Sequence, residues 1–234
     1  MPEPFFASRR ETPFWRVVLA IVWKDLTAEW RSREVLSSMM VFALSVIFIF
    51  NFALELDART RAAVVGGVLW STFTFAGTLG LNRSMAAEKD RDALDGLLLA
   101  PVDRSAVYLG KVVANWLFML FMAGLVVLLV SVFYNQNLLH PGLWGVILLG
   151  SLGYVAVGVL LAAMAVQART RDMLLPILLL PLVLPVLVPA VRASMGVLRA
   201  LPWEEYAAAV HLLVATDLIY LAAGFMLFDT VMAE

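Results

Sequence analysis

The chain has 234 residues, of which 62% are hydrophobic and 15% charged, and its net charge is −1. Soluble domains run nearer half apolar and a quarter charged, and here the surplus falls in blocks of roughly 20 residues, the length that crosses a hydrocarbon core of about 30 Å. The composition therefore excludes an ordinary soluble domain. The absence of cysteine excludes disulfides, thiolate metal sites and thiol nucleophiles.

The first element in chain order is residues 14–33, where Trp15, Val18, Leu19, Val22, Trp23, Leu26 and Trp30 recur at helical spacing. Arg16, Lys24, Asp25, Glu29, Arg31 and Arg33 fall mostly on the opposite face. Three tryptophans flanked by basic residues suit an amphipathic helix lying in the membrane interface. The extended start of the first span is the other reading of these residues. The preceding stretch lacks the short apolar core of a cleavable secretory signal, since Val17–Ile21 is brief and is followed by Lys24, Asp25 and Glu29.

Six spans are expected over roughly 35–55, 62–82, 106–133, 143–166, 173–191 and 206–228, forming one permease-like domain over 1–234. The fifth contains Pro176, Pro181, Pro185 and Pro189. Each removes a helix hydrogen bond and clashes with the preceding turn, so the expectation is a kinked helix, with or without a re-entrant hairpin. Residues 192–205 read as an amphipathic connector. Glycines 66, 67, 77 and 80 in the second span and 150, 153 and 158 in the fourth allow close helix approach. Internal packing and a dimer interface would use them alike.

Orientation follows from Lys and Arg near the span ends. The N-terminal segment carries Arg9, Arg10, Arg16, Lys24, Arg31 and Arg33. The loop after span two carries Arg83, Lys89, Arg91, Arg104 and Lys111, and the turn after span four carries Arg169 and Arg171. The opposite side holds Arg59, Arg61, Arg192 and Arg199. Both termini are thus expected in the cytoplasm.

No phosphate-cradling GxxxxGK[ST] run is present. The two histidines, His140 and His211, stand 71 positions apart and form no local metal motif, so intrinsic catalysis and a resident metal or cofactor are not expected. His140 falls in a loop, where a lone histidine is ordinarily a surface residue. His211 and Asp217 are six apart in the last span and point to different helix faces. Asp217 lies near mid-span, where an ionisable group faces the bundle or a cavity; it is the candidate intramembrane functional residue.

The segment 83–104 carries the densest chemistry. Glu88, Lys89, Asp90, Arg91, Asp92 and Asp95 form a mixed-charge patch, and Leu94, Leu97 and Leu98 share a helical face. Gly96 and Pro101 limit that helix and Asp103 is placed to cap the next. Leucine anchors with surrounding charges suit insertion into a groove on a soluble partner; a solvated loop resting on headgroups fits the same residues.

The run from Trp70 to Lys111 resembles the heme exporter protein B (CcmB) family, the membrane subunit of the cytochrome c maturation ABC complex. The resemblance is carried by GTLGLNRS at 77–84, E-K-x-x-x-A-L-x-G-L-L-L-A-P at 88–101 and VDRSAVYLGK at 102–111, with the WKDL-x-x-E-x-R-x-[KR] pattern at Trp23–Arg33. Beyond residue 180 it extends only to general character. The family resembles ABC-2 type permeases. The resemblance implies an all-α membrane fold with an interfacial elbow at the N-terminus. It also implies a coupling helix between spans two and three, in which Glu88, Asp92, Leu94, Asp95, Leu97 and Leu98 would dock on the ATPase. Implied partners are a CcmA-type ATPase, CcmC-type and CcmD-type membrane subunits, a second copy of the chain and, indirectly, the heme chaperone CcmE. ATP would act through the ATPase, and heme would be handled by the complex. An ABC-2 exporter permease for a lipid, drug or polysaccharide is the alternative.

Overall fold

The computed structural model describes residues 13–53, 58–89, 102–167 and 171–231. Seven α-helices occupy them: α1 (Phe14–Ser32), α2 (Glu34–Ala53), α3 (Ala58–Lys89), α4 (Arg104–Tyr134), α5 (Pro141–Gln167), α6 (Arg171–Leu198) and α7 (Trp203–Val231). Six of them, α2 to α7, contain apolar stretches long enough to cross a membrane. The protein is an all-α, six-span membrane protein.

Helix α1 ends where Arg33 adopts the left-handed conformation (φ 53°) and donates its N–H to Glu29 O. Glu29 then does a second job. Its carboxylate, only 5% exposed, accepts from the N–H groups of Val35 (3.3 Å) and Leu36 (2.8 Å). It thereby satisfies two of the orphan donors at the start of α2 and places negative charge at the positive end of that helix. Glu29→Ala is expected to cost about 1–2 kcal/mol, and Glu29→Gln less, measured by chemical unfolding in detergent micelles. Equal stability of the alanine variant would remove the cap from the account.

The buried side of α1 carries Val17, Val18, Ile21 and Val22 and packs chiefly on α4, where Gly110 admits Ile21: a Cβ at Gly110 would lie 2.8 Å from Ile21 Cβ. Trp15, Trp23 and Trp30 turn away from the bundle and are exposed. The apolar residues grouped from the sequence thus divide between a valine–isoleucine seam against protein and an indole row facing outward.

Helix α5 is the centre of the bundle. It contacts α3, α4, α6 and α7, and every residue from Gly153 to Ala163 is buried. A helix apolar all round is enclosed on all sides, and its glycines let neighbours approach. A Cβ at Gly150 would lie 3.0 Å from Trp70 Cζ2 of α3, and one at Gly153 would lie 3.2 Å from Val186 Cγ2 of α6. Gly80 of α3 receives Met39 of α2, and Gly66 receives Met195 of α6.

Two helices run on beyond the spans expected from the sequence. The apolar span of α3 covers Ala62–Ser84, close to the expected 62–82, and the helix itself continues to Lys89, because Asn82–Lys89 contains no Gly or Pro and is rich in helix formers. Helix α6 is one 28-residue helix through all four prolines; Val191–Leu198 completes it rather than forming a connector. The chain then turns over 199–202. Ala200 is left-handed (φ 50°), and Arg199 and Leu201 donate to the carbonyls of Met195 and Gly196. No re-entrant hairpin separates α6 from α7. Asp103 caps α4 as its position implied, accepting from Ser105 N–H at 2.8 Å.

Candidate functional site

The antiparallel spans bring the ends of α1, α2, α3, α4 and α7 to one end of the bundle, and there the charged side chains pair across elements. Lys111 Nζ donates to Asp25 Oδ2 at 2.7 Å, with side chains 3% and 9% exposed. Lys24 flanks the same carboxylate at 3.3 Å from the exposed side. Lys111 sits seven residues into α4, about 10 Å along its axis. Its ammonium is therefore well inside the packed region, and the Asp25 carboxylate compensates it there. Arg83 of α3 meets Glu34 of α2 at 3.4 Å. Arg104 of α4 meets Asp229 of α7, bonding the carbonyl at 3.0 Å and the carboxylate at 3.3 Å. These last two pairs are exposed and contribute little stability, but they tie both flanks of the segment 83–104 to the rest of the bundle.

Glu88 lies in the last turn of α3. Its side chain, and Asp92, Leu94, Asp95, Leu97 and Leu98, lie outside the described residues. The structure describes the frame from which that segment projects: the end of α3 and the capped start of α4. Neither Asp25 nor Glu29 was singled out from the sequence. The signal that could have found them is their position one and two turns after Ile21 and Val22, since a carboxylate buried beside such a seam requires a partner.

Within the bundle, Asp217 of α7 is buried, and both carboxylate oxygens lack a hydrogen-bond partner among the described residues. It faces α5 at Gly153, where an added Cβ would collide with Oδ1. Other polar side chains of the bundle are hydrogen-bonded. Tyr154 hydroxyl bonds Thr74 O at 2.8 Å and shares a 2.7 Å bond with Thr78. Trp70 Nε1–H donates to Ser194 at 2.9 Å, and Tyr108 hydroxyl donates to Ala156 O at 3.0 Å. His211 is on the exposed face of α7, edge-on to Trp203 with ring centroids 6.2 Å apart, so it is not brought to Asp217. His140 is exposed in the turn before α5, where its Nδ1 accepts from Gly142 N–H at 3.2 Å. Among the described residues no group of His, Asp or Glu is disposed to hold a metal ion.

The arrangement is that of a membrane bundle with a charged, tied end and, among the described residues, a buried carboxylate without a hydrogen-bond partner. The comparisons with known proteins agree with it in extent. The family described as "CcmB protein" matches residues 16–230. Heme exporter protein B of Shigella flexneri is 30% identical over 212 residues, covering 86% of this chain and 90% of that protein. The proteins of the same name from Escherichia coli K12 and Pseudomonas aeruginosa are 29% and 28% identical, covering 86% and 71% of this chain and 90% and 75% of theirs. A match running from within α1 to the end of α7, across all six spans, leaves no region of the fold outside it, and the chain belongs to the CcmB protein family.

Proposed function

We propose that this chain is the non-catalytic permease subunit of an ABC transporter complex for cytochrome c maturation. In this reading a separate CcmA-type ATPase hydrolyses ATP, and the bundle passes the motion to heme handling, or to release of the heme-loaded chaperone CcmE, on the far side of a bacterial inner membrane. The observation that carries the reading is membership of the CcmB family across residues 16–230, with relatives that bear the name heme exporter protein B. CcmC-type and CcmD-type subunits and a second copy of the chain complete the proposed assembly.

The segment 83–104 is the proposed coupling element, in the cytoplasm together with both termini, as the lysine and arginine distribution requires. Two structural facts support its role. Its flanks are the helical end of α3 and the capped start of α4, so force on the segment acts directly on two spans. In addition, α1 is joined to α4 by the buried Lys111–Asp25 pair, so α1 would move with α4. The outward tryptophans of α1 support its placement in the membrane interface, where indoles anchor.

Co-purification from detergent-solubilised membranes, followed by mass spectrometry, tests the assembly. An ATPase recovered with CcmC-like and CcmD-like proteins is the expected result. An ATPase without them would move the chain to an exporter of another cargo, and recovery of none would end the transporter reading. The docking residues are tested by the Leu97→Asp/Leu98→Asp double variant. Charged groups in a leucine-filled groove are expected to lower ATPase recovery by at least roughly tenfold, with membrane insertion unchanged. Wild-type recovery would show that Glu88, Asp92, Leu94, Asp95, Leu97 and Leu98 do not form the contact.

Asp217 is proposed as a functional residue inside the bundle. A buried carboxylate without a partner is a stability cost that an isosteric apolar residue removes. Asp217→Leu is therefore expected to leave the fold intact or stabilise it by about 1–3 kcal/mol, while cytochrome c maturation falls. Full maturation activity in a stable Asp217→Leu protein would assign Asp217 no functional role.

A further inference from the structure

At the end of the bundle opposite the charged cluster, α6 and α7 diverge and leave an open groove of about 690 Å³. That size lies within the roughly 300–1,000 Å³ range of small-molecule sites. Its shape follows from residue size. One face of α6, at helical spacing, presents Pro185, Val188 and Arg192 to the groove, Arg199 joins them from the turn just past the helix, and α7 supplies the small side chains Ala208 and Ala209. The α6–α7 turn closes the polar end, where Gly196 lets the Tyr206 ring sit directly against the α6 backbone; a Cβ there would lie 2.6 Å from Tyr206 Cγ. Deeper in the span the lining is wholly apolar, from Leu184 on α6 to Leu212 on α7.

The two arginines are the unexplained feature. They lie seven residues apart, Arg192 within α6 and Arg199 in the turn just past its end. Arg192 stands six residues before the end of α6, about 9 Å inside it. An arginine at that depth in a span is costly unless it reaches the interface or meets an anion. Yet neither Arg192 nor Arg199 forms an ion pair with any described carboxylate, including Glu205, which lines the same groove. Neither His140 nor His211 lines it, so the groove offers no imidazole to a ligand. What it offers is an apolar lining from Leu184 to Leu212 with two arginines, Arg192 and Arg199, towards the α6–α7 turn.

We infer that this groove binds one anionic phospholipid from the leaflet at that end of the bundle. The acyl chain lies along Leu184, Val188 and Leu212, and the headgroup phosphate is held between Arg192 and Arg199. The charge complementarity decides the occupant. A zwitterionic lipid sets a cation beside the two guanidiniums, whereas phosphatidylglycerol adds a net negative charge that both can bond. Glu205, in the same lining, opposes an anionic headgroup and so lowers the preference that the two arginines create.

The inference is independent of any ATPase and is tested on the full-length chain, delipidated in detergent. Phosphatidylglycerol or phosphatidylcholine with identical acyl chains is added, and retention is read by native mass spectrometry. The wild type is expected to retain phosphatidylglycerol over phosphatidylcholine by roughly tenfold or more. Arg192→Gln/Arg199→Gln is expected to abolish the preference, and Glu205→Gln to increase it. Inorganic phosphate in millimolar excess should not displace the bound lipid, because the acyl chain supplies much of the binding. Equal retention of the two lipids by the wild type would overturn the inference without reference to any variant. So would a preference unchanged in a monodisperse Arg192→Gln/Arg199→Gln protein, or loss of the lipid to inorganic phosphate alone.

Discussion

Replacing Asp25 by alanine is expected to destabilise the protein by about 3–5 kcal/mol, and replacing its partner Lys111 by methionine by distinctly less. The asymmetry follows from what each change leaves behind. Asp25→Ala withdraws the carboxylate 2.7 Å from an ammonium whose side chain is 3% exposed. Lys111 sits too far along α4 to reach water easily, and its charge must then be carried in a poorly solvated site. Lys111→Met leaves Asp25 with a second cation, Lys24 at 3.3 Å and 42% exposed, and methionine fills the space of the lysine stem. Chemical unfolding in detergent micelles measures both. The double variant Asp25→Ala/Lys111→Met should recover most of the loss, because no charge is left uncompensated. Equal costs for the two single variants, or strict additivity in the double, would show that the contact does not hold α1 to α4 as a charge pair.

Gly150→Ala should have the next largest effect, a loss of about 3 kcal/mol at the upper end of the overpacking range. The added methyl would stand 3.0 Å from both Cζ2 and Cζ3 of Trp70 and closer still to Cη2. The indole cannot yield easily. It is 1% exposed, its Nε1–H is fixed to Ser194 at 2.9 Å, and Phe73 lies edge-on to it with centroids 5.4 Å apart. Relief would require α3 and α5 to separate. Trp70→Phe shortens the ring at the point of collision, so Trp70→Phe/Gly150→Ala is expected to be more stable than additivity of the two single variants would give. Thermal unfolding of the four proteins reads this. A neutral Gly150→Ala, by contrast, would mean that the α3–α5 contact is looser than the structure places it.

The spans were legible because a run of apolar residues long enough to cross a bilayer is a local property of the chain. The α4 cap at Asp103 was legible for the same reason, since a cap depends only on its own turn. Asp217 could be marked from its depth alone. The end of α6 was not read correctly. The prolines of α6 suggest a break, although a membrane helix tolerates them when neighbouring helices and local adjustments satisfy the freed carbonyls; α6 is packed against α3, α5 and α7.

By itself, then, the sequence determined the six spans and the family to which the chain belongs. The tertiary structure alone decided the partners. Asp25 and Lys111 are 86 positions apart, and nothing local to either names the other. Glycines 66, 77, 80, 150, 153 and 158 all pack against side chains of this same chain, whereas Gly67 has nothing within 4 Å of the position a Cβ would take. Arg192 and Arg199 read only as charges near a span end until α7 set two alanines opposite them. The physical reason is common to all three. Span length and helix face follow from residues a few positions apart, but which faces meet depends on the rotation and crossing of whole helices, and that is fixed only when ridges and grooves from distant parts of the chain are packed together.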